Sequence, residues 1–170
     1  EVSLEENLEM IYDTVSYLKE HDLTVFFDGE HYFDGYKSNP EYAIKTLKTA
    51  EAAGADLHIP CDTNGGLLPD EIETIFSETK KEVDIPLGIH THNDGGLALA
   101  NTMEAYKKGA VQIQGTIGGM GERCGNVDLC YVIPSLKLKY NENRLSHINM
   151  DKLTSTYFFV MRSEERRVGK

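Results

Sequence analysis

Four short apolar runs, each separated from the next by a helical pattern, constrain this chain more than any other feature of its sequence. The runs are Leu23–Asp28, Asp56–Cys61, Ile85–His90 and Ala110–Gly115, and all read as β-strands. Helical spacing fills Pro40–Ala53, Pro69–Glu82 and Leu97–Lys108. A further helix opens the chain, with Leu4, Leu8, Ile11, Val15 and Leu18 on one face. Glycines at Gly54 and Gly109 sit where helices close. The order α-β-α-β-α-β-α-β-α implies an α/β protein with parallel strands joined by right-handed crossovers.

The unusual residues all fall directly after the strands. Asp28-Gly29-Glu30-His31, Cys61-Asp62-Thr63-Asn64-Gly65-Gly66, His90-Thr91-His92-Asn93-Asp94 and Gly115 through Asn126 occupy four successive βα loops. A doubly wound sheet concentrates its site at one switch point, whereas a β/α barrel builds it from many loops at the strand C-termini. Four loaded loops therefore favour a ring, of which four strands make half, with the other half expected upstream. Half a barrel leaves two open strand edges and is expected to expose inner-face residues such as Val25, Ile59 and Ile113, so that the isolated chain would be an inert, self-associating fragment.

Side chains on a strand alternate faces, so His90 and His92 project from the same side and can reach one metal ion together. A bare His-x-His is as readily a pair of surface histidines. Its company shifts the balance. Gly119-Met120-Gly121-Glu122-Arg123-Cys124-Gly125-Asn126 is either a flexible surface loop or a wrap around a site, in which the Asn126 amide oxygen completes a mixed N/O shell. Thr63 lies in good turn chemistry, yet its hydroxyl at a strand end can hold a substrate carboxylate. The segment Asp28–Lys37, with Glu30, is equally open to acid–base chemistry or to a loop with solvated carboxylates. Cys124 and Cys130 are expected as small buried or half-buried residues, and His21, His58 and His147 as structural or surface ones.

Composition excludes several classes. The formal charge of -11, from 17 basic and 28 acidic residues, argues against a nucleic-acid or anionic-membrane surface. No run reaches the roughly 18 apolar residues of a membrane span. Three cysteines without a CxxC pair read as reduced thiols in a cytoplasm. Residues 162–170 lack apolar periodicity and resemble a translated sequencing adapter, and without their four basic and two acidic residues the charge becomes -13. The chain thus divides into a partial barrel over 1–140, the start of a helical region over 141–161, and this tail.

With these motifs quoted, the chain resembles the citramalate synthase branch of the isopropylmalate/homocitrate synthase family of metal-dependent Claisen enzymes. FFDGEHYFDGYKSNPEYA, CDTNGGLLPDEI, LGIHTHNDGGLALAN and VQIQGTIGGMGERCGN carry the match, in order, with IPSLKLK after them. The resemblance implies the C-terminal half, strands 5–8, of a (β/α)8 TIM barrel. It further implies a divalent metal ion (zinc, manganese, magnesium or cobalt) held by His90, His92 and Asn126 together with an upstream Asp. Acetyl-CoA and a 2-oxo acid, pyruvate for this branch, would be the substrates. Thr63 would bind the oxo-acid carboxylate and Glu30 would line the pocket as a substrate-binding and catalytic residue. A cytoplasmic homodimer in amino-acid biosynthesis is implied for the whole enzyme. Sibling synthases acting on 2-oxoisovalerate or 2-oxoglutarate, and a metal-dependent lyase or aldolase, are the alternatives. Gly118 stands where this family usually has Asn, Met120 where it has an aromatic, and Val127-Asp128 where small or amide residues are common.

Overall fold

The alternation closes into one curved, parallel sheet backed by helices. A computed structural model describes residues 2–168. Its elements are α1 (Leu4–Glu20), β1 (Phe26–Gly29), α2 (Tyr32–Ser38), α3 (Pro40–Ala52), β2 (Leu57–Asp62), α4 (Pro69–Glu82), β3 (Gly88–Thr91), α5 (Ala98–Lys107), β4 (Gln112–Gln114), α6 (Leu129–Lys139) and α7 (Leu153–Val168). The strands lie in sequence order and every pairing is parallel. The strands begin up to three residues later than their apolar runs suggest, because Leu23 and its neighbours form the approach from α1. The helices match to within one residue at either end.

Local chemistry sets the helix ends. Ser3 accepts the Glu6 N–H at 3.1 Å and Asn39 accepts the Tyr42 N–H at 3.1 Å, each capping a first turn. Pro40 and Pro69 occupy first helical positions, where their missing N–H costs nothing. The segment after Glu30, read from sequence as a loop, instead forms α2. His31 takes a left-handed φ of 57° to start it, and Tyr32 and Phe33 bury against the sheet. α7 extends through Val168, so the backbone of the adapter-like segment continues a helix as far as it is described. Gly169 and Lys170 fall outside the described residues.

The core lies between sheet and helices. Phe33, Leu47, Ile72, Phe76, Leu87 and Ile89 form its centre, and Val15, Val25, Ala50 and Ala55 a second cluster beneath α1. Two expectations about exposed faces are corrected here. Val25 and Ile113 point into this helix layer rather than into the concave face. Ile59 does lie on the concave face but is 0% exposed. The reason is curvature. Asp28 on edge strand β1 and Gln114 on edge strand β4 meet by hydrogen bond above β2 and β3. On β3, Gly88 makes room for the Gln112 side chain, since a Cβ there would come within 2.7 Å of Gln112 Oε1. A sheet whose two edges touch across its inner face is bent as a barrel wall is.

Candidate metal centre

The register places the chemistry. Cys61 pairs with His90 and His90 with Gln114 across β2, β3 and β4, so these three side chains share the concave face. His92 follows one residue past β3, and its ring centroid lies 5.1 Å from that of His90. Thr91, on the opposite face, hydrogen-bonds Thr102 Oγ1 at 2.8 Å and so pins the strand end to α5. The glycine loop then folds back onto the same strand. Asn93 N–H donates to Gly125 O at 2.8 Å and Val127 N–H to Thr91 O at 3.0 Å, bracketing an antiparallel bridge between His92 and Asn126. Gly125 permits this return. Its φ is 90°, and a Cβ would collide with the Gly119 carbonyl oxygen.

Hydrogen bonding around His90 leaves a gap of definite chemistry. Gln114 Nε2 donates to both Asp28 carboxylate oxygens, at 3.1 and 3.3 Å, which turns Oε1 toward His90 Nδ1 at 2.7 Å. Asn126 Nδ2 donates to Met120 O at 2.9 Å, which turns its Oδ1 toward His90 Nε2, also at 2.9 Å. The neutral ring carries one proton between two facing acceptors, so in either tautomer one ring lone pair faces an amide lone pair. Only a positive centre satisfies both: a second ring proton, or a metal ion. Neutral imidazole nitrogen and amide oxygen suit the divalent ions of the mixed N/O class.

His92 presents a different face. Arg123 Nη2 donates to its Nδ1 at 2.9 Å, so the neutral ring carries its proton on Nε2. For His92 to join His90 on one ion, Arg123 must release that nitrogen or the ring must turn. Burial, reinforced by His90 and Arg123, holds the His92 pKa below the ordinary imidazole range, which keeps a ligand-competent neutral ring. Among the described residues, no group of three or more His, Cys, Asp or Glu side chains is arranged for a metal ion. The cluster here is two imidazoles and an amide, and it fits a divalent ion at His90 and Asn126 more directly than at His92.

Around this centre, Glu30, Thr63, His90 and His92 line one cleft of about 190 Å³ with Asp28, Cys61 and Glu122. Thr63 is 8% exposed, and its Oγ1 accepts the His31 N–H at 2.7 Å, which leaves its own proton to donate. Glu30 is exposed at the rim. Burial pushes the Cys61 thiol up to about 12, with Asp28 and Glu30 adding to the shift, so it is a neutral wall and not a nucleophile. Cys124, expected to be buried or half-buried, is exposed because the Glu122–Gly125 turn projects it outward; Cys130 is half-buried. His58 is fully buried, and His21 and His147 are exposed, all away from the cleft.

Three residues make contacts that the sequence did not specify. Arg123 forks onto the Asp94 carboxylate at 2.9 and 3.0 Å and also donates to Thr63 O, so one side chain joins three of the four loops. That fork holds the Asp94 carboxyl below the usual carboxylate range. Asp28 and Gln114 required the register between β1 and β4, which strand parity alone does not supply.

The model of the HMGL-like family matches residues 1–160. The chain belongs to the HMGL-like family. Its fold accords with solved HMGL-like structures. The HMG-CoA lyase of Bacillus subtilis superposes with a TM-score of 0.75 at 20% identity, over 98% of this chain and 57% of that one. The carboxyl transferase domain of Rhizobium etli pyruvate carboxylase, solved with pyruvate and biocytin, superposes with a TM-score of 0.66 at 17% identity, over 87% of this chain and 25% of that one. In sequence the chain is 54% identical over 159 residues to the (R)-citramalate synthase of Geobacter sulfurreducens, spanning 94% of this chain and 30% of that protein. It is 37% identical over 166 residues to the 2-isopropylmalate synthase of Methanocaldococcus jannaschii, spanning 98% of this chain and 31% of that protein. The chain thus spans about a third of the length of these relatives. Among the described residues no helix is long and apolar enough to cross a membrane.

Proposed function

We propose that this chain is the C-terminal half of the catalytic barrel of a citramalate synthase, which condenses acetyl-CoA with pyruvate in amino-acid biosynthesis. The observation that carries the proposal is His90, which lines a cleft with Thr63 and Glu30 and has its Nε2 2.9 Å from Asn126 Oδ1, two atoms of the kind that bind a divalent ion. The similarity to the Geobacter (R)-citramalate synthase supports the choice of substrates, and three free thiols are in keeping with a cytoplasmic enzyme. His90, Asn126 and, once Arg123 yields, His92 would hold a divalent ion. Bound there, such an ion supplies Lewis acidity at the keto oxygen of the 2-oxo acid.

The remaining work falls to the side chains of this chain. The Thr63 proton is free to donate to the pyruvate carboxylate, orienting the keto carbon toward the cleft. Glu30, at the rim, is placed to accept a proton from a substrate group as it reorganises. In the overall reaction the acetyl methyl group loses a proton and its carbon bonds to the keto carbon of pyruvate, whose C=O π bond opens to a hydroxyl that takes up a proton. Water then cleaves the thioester, releasing CoA and citramalate.

The test joins Glu1–Val160 to the upstream barrel half of the Geobacter relative and follows CoA release with pyruvate, 2-oxoisovalerate and 2-oxoglutarate. Metal-dependent release selective for pyruvate, lost on His90→Ala, is expected. Selectivity for 2-oxoisovalerate or 2-oxoglutarate would reassign the chain to a sibling synthase. A folded, soluble enzyme without CoA release would overturn the proposal.

A further inference from the structure

The hydrogen bonds on the concave face run in one direction. Asp28 is a carboxylate and only accepts, so Gln114 turns its nitrogen to Asp28 and its oxygen to His90 Nδ1. The other side of the ring offers a competing arrangement. Asn126 Oδ1 lies 2.9 Å from Nε2, well placed to accept a proton there, and a ring protonated on Nε2 has no lone pair for a cation at that atom. The two tautomers of His90 thus each have a ready acceptor, but the Gln114 oxygen is the closer, at 2.7 Å against 2.9 Å, and its amide is the one anchored on a carboxylate. We infer that Asp28 and Gln114 are positioning residues that lock His90 in its Nδ1–H tautomer, so that the ring meets a cation through Nε2.

The anchoring spans the whole concave face, from edge strand β1 to edge strand β4. Without Asp28, the Gln114 amide is free to turn its nitrogen to Nδ1, and the proton then belongs on Nε2. Without the Gln114 oxygen, the Nε2–H to Asn126 bond is the better-satisfied state. Partners of this kind, one step behind a ligand, change metal affinity by about 10- to 100-fold when removed. What the tautomer is used for rests on the metal-centre reading above. The tautomer itself is a property of these side chains alone.

The test uses the whole chain, Glu1–Lys170, within the barrel completed by the relative's upstream half. In metal-free protein, two-bond ¹⁵N–¹H correlations of labelled histidine report the tautomer. His90 is expected as Nδ1–H in the parent and as Nε2–H in Gln114→Leu. Asp28→Leu moves it the same way, and serves if the first variant does not fold. The double change Asp28→Asn with Gln114→Glu reverses donor and acceptor between the pair, keeps the net charge, and should restore Nδ1–H. Cobalt titration, read by its visible spectrum, should weaken by about 10- to 100-fold in Gln114→Leu and recover in the double variant. A leucine variant that keeps Nδ1–H overturns the inference, and so does one that flips without losing cobalt affinity. His90→Ala with unchanged cobalt binding would instead overturn the metal-centre reading, while the tautomer shift would stand.

Discussion

His58 shows how a single residue trades packing against titration. It is 0% exposed, stacks edge-on to Phe27, and neither ring nitrogen has a hydrogen-bond partner among the described residues; Glu51 lies 3.9 Å away. Burial drives its pKa from 6.5 down to about 4. Above pH 6.5 the ring is neutral folded and unfolded, so its packing counts in full. As pH falls from 6.5 to 4 the unfolded chain takes up a proton that the folded one refuses, and stability drops, by about 3 kcal/mol at the end of that window. His58→Leu removes both the titration and an unsatisfied N–H. Urea unfolding at pH 7 and pH 4.5 should therefore show a smaller loss of stability in the variant than in the parent. Equal losses would mean that the ring is charged, or hydrated, when folded.

At the scale of elements, strand parity made His90 and His92 legible as a pair, because a period of two needs no tertiary information. Asp28 with Gln114, and Arg123 with Asp94, were not legible. Each spans elements far apart in sequence, and pairing them required the curvature of the sheet. The same holds for Val25 and Ile113, whose faces follow from where each strand begins, the least certain feature of an apolar run. Asp128 is a further case. It caps α6 by accepting Cys130 N–H at 2.8 Å, and the same oxygen accepts Gly118 N–H at 2.9 Å, so the helix start and the glycine loop share one anchor. Gly118 carries a φ of 73° and lies against Met161 of α7, which leaves no room for a side chain unless Met161 moves. Asp128→Ala should cost about 1 kcal/mol as a lost cap and, by freeing Gly118, also weaken cobalt binding. Asp128→Asn, which keeps the acceptor, should spare both. Thermal melts beside a cobalt titration measure the two effects, and an alanine variant with lowered melting temperature but unchanged cobalt affinity would separate cap from loop.

For the molecule as a whole, four strands bent into half a ring leave β1 and β4 as open edges, with Phe26 on the concave face half exposed at 51%. Open parallel edges and bare apolar surface promote association between copies. The net charge of -11 opposes it, through repulsion that reaches about 10 Å at 0.1 M salt and about 3 Å at 1 M. These opposing effects scale differently, since the contact term is short-ranged and barely screened. The isolated chain should therefore be dispersed best at low ionic strength and should self-associate as salt is raised. Joined to an upstream half that pairs both edges and covers Phe26, it should lose that salt response. Sedimentation velocity across a salt series on both proteins decides the matter. Salt-independent monomers of the isolated chain would mean that the concave face is closed by its own side chains, with the Asp28–Gln114 bridge as the first candidate, and Gln114→Leu should then restore association.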